Sequence, residues 1–365
     1  MNDLKALPFS TLAGFNLTAR IGEGAAGTVY EARSVAAPEA PPVAIKVMHG
    51  ALAADLVNAR RFDREFEVTA SLNHPYIVRV FERGTTPTGV PFLVMERLYG
   101  RELSIELAQR RRLGLAATIQ IVARVASALD FAHARGLIHR DLKPANIFLC
   151  PAGEDYDLRV LDFGSVKMQL ETGPKLTGIG TTLGSPAYMS PEQARGRQDI
   201  DGRSDVFSLA AVAYEALSGC VAFDGESIGE ILMKVLKEQP APLARGANGI
   251  TAAVDNVLQR GLAKEKSSRY AKATDFAKEF AQAFGIEPAS FQDSALENLS
   301  VAEIRQRLPH LSEASAAFDA SRSLGEGPLK VSFVPPPIPG KAVLTGLGLV
   351  VGLAVLLAVL AFRVC

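Results

Sequence analysis

The sequence has few cysteines and no excess of charge of either sign. Its three cysteines, Cys150, Cys220 and Cys365, lie far apart in a chain of 365 residues, and this pattern fits neither a disulfide framework nor a cysteine metal site. Lys plus Arg equal Asp plus Glu at 39 each, so the net charge does not predict binding to nucleic acid. Residues 1–10 lack a basic stretch followed by an apolar core, so we expect no secretory signal peptide and a cytoplasmic main domain.

A long apolar run lies near the C-terminus, at residues 342–362. Thr345 is its only side chain that is neither apolar nor glycine, and Lys341 and Arg363 flank it. At 1.5 Å per residue such a helix spans about 30 Å, the thickness of the hydrocarbon core of a bilayer. A helix buried in a globular domain is the alternative, but the run has no amphipathic stripe. We therefore predict a single-pass transmembrane helix in the cell membrane, inserted after synthesis as a tail anchor with the main domain in the cytoplasm.

The rest of the chain divides into a strand-rich part, a helix-rich part and a linker. We predict a strand-rich lobe over 15–97, a helical lobe over 98–285 and a juxtamembrane linker over 286–341 that ends in a proline-rich spacer. The predicted strands of the first lobe are 15–21, 28–33, 43–49, 77–82 and 92–96, with a helix over 55–72. The pattern predicts an α+β fold of two lobes, a tether and an anchor.

A glycine-rich stretch joins the first two predicted strands. Ile21-Gly-Glu-Gly-Ala-Ala-Gly-Thr-Val-Tyr30 has glycines at the spacing that lets a backbone approach phosphates closely, although a single match of this kind is weak. A dinucleotide-binding loop would need a helix directly after the glycines. Because a strand follows instead, we expect a hairpin that covers a nucleotide.

One lysine ends the apolar strand Val43-Ala-Ile-Lys46. A buried ammonium at this position needs a carboxylate partner, and the following predicted helix offers Glu65 as the best candidate by position, with Asp63 and Glu67 as alternatives. An exposed lysine at a strand end is the simpler interpretation.

Two further motifs decide between these interpretations. His139-Arg-Asp-Leu-Lys-Pro-Ala-Asn146 is followed, 21 residues after Asp141, by Asp162-Phe-Gly164. With the glycine loop and Lys46 in the same order, residues 15–280 resemble the eukaryotic-like protein kinase family, and most of all its bacterial membrane-anchored serine/threonine kinases. The resemblance implies a bilobal kinase fold, with an antiparallel sheet and one main helix in the N-lobe and a mostly helical C-lobe. It also implies transfer of the γ-phosphoryl group of ATP to protein Ser/Thr hydroxyls in signal transduction.

The resemblance assigns roles to individual residues. Asp141 would orient the substrate hydroxyl and accept its proton, Lys143 would lie near the γ-phosphate, as in serine/threonine kinases, and Asn146 completes the catalytic set. Asn146 and Asp162 would hold Mg²⁺, with Mn²⁺ as an alternative. The expected ATP-binding residues are Ile21, Gly22, Glu23, Gly24, Ala25, Ala26, Gly27, Thr28, Val29, Ala44, Lys46, Glu65, Met95, Glu96 and Leu98.

The segment between Asp162 and Ser190-Pro-Glu192 resembles an activation loop. It contains three candidate regulatory phosphorylation sites, and Arg140 would pair with a phosphate there. The candidates are Thr177, Thr181 and Thr182. The alternative is a solvated loop with incidental threonines.

Buried structural roles follow from the same resemblance. Glu192 would pair with Arg269, and Asp205 would cap the backbone of the catalytic loop. His139 and Phe163 would pack in the core. Ser185 and Ser190 depart from the common Thr and Ala of the family, but Ser185 keeps the hydroxyl that the position uses.

Partners and competing functions are less well determined by the sequence. Gly348 and Gly352 form a Gly-x-x-x-Gly pair in the predicted anchor, which makes a homodimer possible. The expected partners are protein substrates and the membrane, not nucleic acid. A catalytically inactive scaffold and a small-molecule kinase are the alternatives. The first is disfavoured because the catalytic residues are all present, and the second because residues 184–192 resemble a peptide-positioning region. One hypothesis is that the linker binds a regulator.

Overall fold

A six-stranded antiparallel sheet forms the N-terminal part of the chain in a computed structural model, which describes residues 10–24, 27–49, 69–153, 155–163, 186–244, 250–286 and 296–308. The strands run in the order β1-β2-β3-β4-β6-β5 across the sheet. Their bounds are β1 Thr11–Leu12, β2 Phe15–Glu23, β3 Gly27–Ser34, β4 Val43–Met48, β5 Val80–Thr85 and β6 Pro91–Glu96.

One face of this sheet is buried because apolar side chains alternate along its strands. Tyr30 in β3 pairs with Ile45 in β4, and both belong to one buried cluster that also contains Phe92 and Val94 of β6. Successive side chains of a strand point to opposite faces, so this alternation turns one apolar set towards a core. The sheet thereby fixes β4, the strand that carries Lys46.

Strand β5 begins at Val80, three residues later than the strand predicted over 77–82. Ile77 forms an isolated parallel bridge with Val160 instead, and the Val78 amide donates to the Val160 carbonyl at 3.1 Å. Residues 77–78 therefore contact Val160 of the helical lobe, and pairing within the six-stranded sheet begins only at Val80.

The helical lobe surrounds one long helix. The described helices are α1 Leu103–Arg110, α2 Leu115–His133, α3 Pro191–Ala194, α4 Arg203–Ser218, α5 Ile228–Lys237, α6 Ala252–Gly261, α7 Ala273–Ala283 and α8 Val301–Arg307. In the part of the chain that the structure describes, α2 alone is long and apolar enough to cross a bilayer by length and composition, and most of it is buried in the domain. We interpret α2 as the core helix of this lobe.

A small second sheet lies within the helical lobe in sequence and positions the site. It consists of β7 Arg101–Glu102, β8 Ile147–Ala152 and β9 Asp155–Val160, in the order β7-β8-β9. We predicted helical patterns from residue 102 onward and a mostly helical C-lobe, and this hairpin was not predicted. Its signal was the alternation in Tyr156-Asp-Leu-Arg-Val160, where Tyr156, Leu158 and Val160 are buried.

Residues 296–308 pack on the helical lobe although the sequence analysis placed them in a linker over 286–341. A 3₁₀ turn, Leu296–Asn298, precedes α8, and the Ser300 hydroxyl and Glu303 carboxylate form a capping box at its start. The predicted anchor at 342–362 and most of the predicted helix over 55–72 lie outside the described residues.

Candidate active site

A buried carboxylate holds the loop that carries the candidate catalytic residues. Asp205 of α4 accepts hydrogen bonds from the backbone amides of His139, at 2.8 Å, and Arg140, at 2.9 Å. Its Oδ2 also lies 2.7 Å from Nε2 of His133. Burial raises the pKa of Asp205, but the bond and charge of His133 outweigh burial, so the net pKa lies below its usual value. An ionised Asp205 thus caps the loop, as the sequence analysis expected.

Three candidate catalytic residues meet at Asp141. The Lys143 ammonium lies 3.0 Å from Oδ2 of Asp141. The Asn146 side-chain amide donates to the Asp141 backbone carbonyl at 2.7 Å, and its nitrogen lies 3.4 Å from Oδ2. The 3₁₀ turn Pro144–Asn146 makes this contact possible because it folds Asn146 back over the loop. A carboxylate held from two sides is oriented for one direction of proton transfer.

Lys46 and Asp162 form the second half of the site. The Lys46 ammonium lies 2.7 Å from Oδ1 of Asp162, and its side chain is 15% exposed. Burial raises the pKa of Asp162. The charge and the hydrogen bond of Lys46 lower it, and the net pKa lies below the usual value. Asp162 is also in the left-handed region, with φ 54°. Such a conformation in a residue other than glycine is costly and typical of functional sites.

The segment around Asp162 is fastened to the catalytic loop. The Leu161 amide donates to the Asn146 carbonyl at 2.8 Å, and Nε2 of His139 donates to the Leu161 carbonyl at 2.9 Å. The rings of His139 and Phe163 pack edge to face with centroids 4.7 Å apart. Asp162 therefore stands beside the loop that holds Asp141 and Asn146.

Asn146 and Asp162 suit a hard divalent cation. Asn146 uses its amide nitrogen to bond Asp141, which leaves its oxygen for a ligand, and Asp162 is an ionised carboxylate. Hard oxygen donors of this kind match Mg²⁺, which takes few protein ligands and completes its shell with phosphate oxygens and water. Within the described ranges no group of three or more His, Cys, Asp and Glu side chains could hold a metal.

The glycine loop is a tight hairpin at the edge of this site. The Gly24 amide donates to the Gly27 carbonyl at 2.9 Å, and Gly22 pairs with Val29 across the hairpin. A Cβ at Gly27 would lie 2.3 Å from the Val47 carbonyl oxygen. Glycine is thus required at 27 by its close contact with β4, a reason that the sequence motif did not reveal. The two alanines at 25 and 26 lie outside the described residues.

The residues expected around the adenine ring include apolar side chains and, at the predicted hinge, Glu96, whose carboxylate is already hydrogen-bonded within the protein. Ala44 pairs with Met95, and Met95 packs against the cluster of Met48, Val80 and Leu93, so Met95 fills the core and its role as a gate stays a prediction. The Glu96 carboxylate accepts from the Arg79 amide at 2.8 Å and from Arg159 Nε at 3.3 Å. The Glu96 carboxylate thus bonds protein groups, and the expected role of the Glu96 and Leu98 backbone in binding adenine stays a prediction.

Several predicted residues cannot be placed. Glu65 and its alternatives Asp63 and Glu67, the threonines Thr177, Thr181 and Thr182, and Ser185 all lie outside the described residues. The partner of Lys46 on the predicted helix therefore stays a prediction.

Beyond the catalytic loop, a buried ion pair supports the region expected to receive a peptide. Arg269 donates to both carboxylate oxygens of Glu192 at 2.8 Å, and the Ser204 hydroxyl bonds the same carboxylate at 2.5 Å. Burial raises the pKa of Glu192, but Arg269 outweighs it and the net pKa is lowered. The two side chains are 4% and 0% exposed. This pair anchors α3 and the 3₁₀ turn before it.

A cavity of about 230 Å³ opens beside Lys143. It lies between the catalytic loop, α1, the end of α4 and the turn Pro186–Tyr188, and its polar lining includes Tyr188 and Glu215, which are joined by a 2.5 Å hydrogen bond. Burial raises the pKa of Glu215 above its usual value, and the bond from Tyr188 only partly offsets this.

Three supporting residues were missed by the sequence analysis. No role was predicted for His133 from the sequence, yet its Nε2 lies 2.7 Å from Oδ2 of Asp205. The Thr69 hydroxyl donates to the Phe163 carbonyl at 2.5 Å, and the Gln193 amide donates to the Arg140 carbonyl at 2.7 Å. Only Gln193 had a local signal, because it stands three residues after Ser190 in a capping box. The contacts of the other two join distant parts of the chain.

The comparisons with known proteins agree with this geometry. The family model of the protein kinase domain matches residues 15–281. The chain is 35% identical over 310 residues to the serine/threonine-protein kinase Pkn3 of Myxococcus xanthus, and the match covers 84% of this chain and 56% of the relative. It is 36% identical over 249 residues to the serine/threonine-protein kinase PknB of Mycobacterium tuberculosis, covering 67% of this chain and 39% of PknB. The chain thus spans about half or less of the length of these relatives.

Solved structures show the same fold. A crystal structure of the Mycobacterium tuberculosis PknI kinase domain matches with a TM-score of 0.61 and 32% identity, covering 76% of this chain and 98% of that domain. The lobes, the glycine loop and the Asp141 and Asp162 segments described above are the parts of such a domain. Proteins of this family generally use ATP and a divalent metal ion. The chain belongs to the protein kinase domain family.

Proposed function

We propose that this chain is an ATP-dependent protein serine/threonine kinase. The observation that carries the proposal is the pairing of Lys46 with Asp162 at 2.7 Å beside an Asp141 that is bonded to Lys143 at 3.0 Å. The first pair suits nucleotide phosphates and a cation, and the second suits the acceptor hydroxyl and the group being transferred.

The reaction follows from these positions. Lys46 contacts the α- and β-phosphates of ATP, and Asp141 orients a Ser or Thr hydroxyl and accepts its proton. The hydroxyl oxygen forms a bond to the γ-phosphorus while the bond from that phosphorus to the ADP oxygen breaks. Asn146 and Asp162 would hold Mg²⁺, which when bound neutralises charge on the phosphates. Lys143, beside Asp141, favours binding of the γ-phosphoryl group. Most of the rate enhancement then comes from positioning and electrostatics.

A protein acceptor is favoured over a small molecule by the substrate side of the site. The buried Glu192–Arg269 pair fixes the region after the predicted activation loop, and the cavity beside Lys143 extends between α1 and α4. A small-molecule kinase has no need of such an extended surface.

The test is to identify the acceptor. The full chain, purified in detergent, is incubated with Mg²⁺, labelled ATP and a generic basic protein, beside an Asp141→Asn control, and the phosphorylated residues are mapped by mass spectrometry. The proposal expects phosphoserine and phosphothreonine that disappear in the control. Nucleotide binding without any transfer would favour an inactive scaffold.

We further propose that the chain phosphorylates its own activation loop at Thr177, Thr181 or Thr182. The Arg140 guanidinium has no hydrogen-bond or ion-pair partner among the described residues, which suits a role in binding a phosphate. If this is so, Arg140→Gln abolishes any stimulation by prior incubation with ATP, and replacing the three threonines with alanine has the same effect without adding to it. Stimulation that survives in Arg140→Gln would contradict the proposal.

We also propose that residues 342–362 anchor the chain in the cell membrane, with the kinase domain on the cytoplasmic side, where ATP is present. The support is the length and apolar composition of the run. Extraction of membranes with carbonate should leave the chain in the pellet, and deletion of 342–365 should release it.

Gly348 and Gly352 would allow two anchors to approach closely as a homodimer. Crosslinking that is unchanged in a Gly348→Leu, Gly352→Leu variant would rule out this contact.

A further inference from the structure

The segment 296–308, which we call the C-terminal clamp, lies beyond the part of the chain that the kinase family matches. The family match ends at residue 281, yet the clamp is folded onto α2. Its apolar side chains Leu296, Leu299, Val301 and Ile304 are 4%, 2%, 1% and 0% exposed and belong to the main core. Burying four such side chains is a substantial apolar contribution that holds the clamp in place.

One residue of the clamp fastens two parts of the kinase domain. The Glu297 backbone carbonyl accepts from Nε of Arg124 and from the Tyr76 hydroxyl, each at 3.0 Å. Its carboxylate accepts from the Ser127 hydroxyl at 3.1 Å, and that hydroxyl lies 3.3 Å from Nε2 of His74. The clamp therefore ties the segment 69–78 to α2.

The segment 69–78 in turn holds both sides of Asp162. The Val160 amide donates to the Tyr76 carbonyl at 2.8 Å, two residues before Asp162. The Thr69 hydroxyl donates to the carbonyl of Phe163, the residue after Asp162, at 2.5 Å. A displacement of residues 69–78 would therefore shift the backbone of Asp162, which lies in the left-handed region.

A second path runs from the clamp to the strand that leads to Asp162. The Val301 amide donates to Oδ1 of Asp155 at 2.6 Å, at the start of β9. Gln120 of α2 donates to the Leu299 carbonyl at 2.9 Å and accepts from the Tyr156 amide at 3.0 Å. These bonds are buried or partly buried, so the loss of one partner leaves a polar group without a bond.

We propose that the C-terminal clamp is a positioning element of the kinase site, which holds Asp162 through Tyr76 on one side and β9 on the other. Undocking the clamp loosens Asp162 and slows phosphoryl transfer while the lobes stay folded. The kinetic part of the inference rests on the proposed kinase activity.

The test uses variants of the full chain in detergent. Ile304→Asp places a charge in a fully buried position and undocks the clamp, and Ala302→Asp places the same group on the exposed face of the same helix. Tyr76→Phe removes only the hydroxyl that bonds Glu297. We expect Ile304→Asp to lower kcat by up to about 100-fold, as small misplacements of catalytic groups do. We expect Tyr76→Phe to lower kcat less and Ala302→Asp to leave it unchanged.

A peptide of residues 294–310, added in excess, separates positioning from general stability. The peptide should restore kcat in Ile304→Asp, which a merely destabilised domain would not allow. An Ile304→Asp chain with the wild-type kcat would overturn the proposal, and so would a loss of kcat that the peptide fails to restore in a protein that is still folded by circular dichroism.

Hydrogen exchange gives a readout that needs no enzymatic activity. In Ile304→Asp, the amides of Val78 and Val160 should exchange faster than in wild type, while the amides of the β3–β4 pair should not change. Unchanged exchange rates of the Val78 and Val160 amides would be enough to reject the proposal that the clamp holds Asp162 in position. An inactive wild type would reject the proposed function, and the exchange data would still decide on the clamp.

Discussion

The ammonium group of Lys46 lies 2.7 Å from the carboxylate of Asp162, 116 positions later in the chain. The six-stranded sheet places the first group and the β8–β9 hairpin the second, so the contact reports the relative position of the two lobes. The pair also favours the ionised form of Asp162, because burial raises the pKa of this carboxyl while the charge and hydrogen bond of Lys46 lower it, with a net pKa below the usual value.

Replacing Lys46 with methionine removes the charge but keeps most of the apolar stem. We expect kcat/KM for ATP to fall by at least about 100-fold, as for the loss of a preorganised charge at a reacting group. Lys46→Arg keeps the charge with a different shape and should recover only part of the rate. Steady-state kinetics and circular dichroism on the three proteins test this, and a Lys46→Met chain of near wild-type rate would show that the pair has no catalytic importance.

The buried pair Glu192–Arg269 should contribute to stability and not to chemistry. Arg269→Met leaves a carboxylate buried without its partner, which costs about 3–5 kcal/mol. Arg260→Met is the matched control, since Arg260 pairs with Glu279 at the surface, where both side chains are nearly half exposed, and should cost less than about 1 kcal/mol. The free energy of unfolding in urea measures both. Equal losses in the two variants would contradict the buried role of Arg269.

The bond between His133 and Asp205 should make the stability of the helical lobe depend on pH. Burial lowers the pKa of His133, but Asp205 outweighs it, so the net pKa is raised above 6.5. A raised pKa stabilises the fold fully below the unfolded value of about 6.5, and this contribution is lost as the pH rises through the folded value.

The corresponding measurement is the melting temperature of wild type and His133→Gln across this range. The wild type should lose its advantage over His133→Gln as the pH rises from about 6.5 through the raised pKa of His133 in the fold. A difference in melting temperature that does not change with pH would exclude a charged His133 in the fold.

The sequence predicted the candidate catalytic residues better than the residues that hold them in position. Lys46, Asp141 and Asp162 stand in motifs whose order and spacing are specific, so their meeting could be expected. The hydrogen bond between the Thr69 hydroxyl and the Phe163 carbonyl could not be predicted from the sequence. It depends on how residues 69–78 lie against β9, and no local pattern encodes that contact.

The fold was predicted in its main parts and missed where elements are short or non-local. The strands of the first sheet have clear alternation, whereas β8 and β9 are six residues each and interrupt a region of helical pattern. The clamp was assigned to a linker because Leu296, Leu299 and Ile304 are sparse in a polar, alanine-rich stretch. Their burial depends on α2, more than 160 positions earlier in the chain, and periodicity alone does not show such a partner.

The most direct measurement is the rate of γ-phosphoryl transfer to serine in Asp141→Asn, with ATP binding measured in the same samples. Asn keeps the shape of Asp141 but cannot accept the proton. The account predicts ATP binding close to that of wild type and a transfer rate lower by about 100-fold to 10,000-fold. A wild-type rate in Asp141→Asn, or a wild type that binds ATP and transfers nothing, would contradict it.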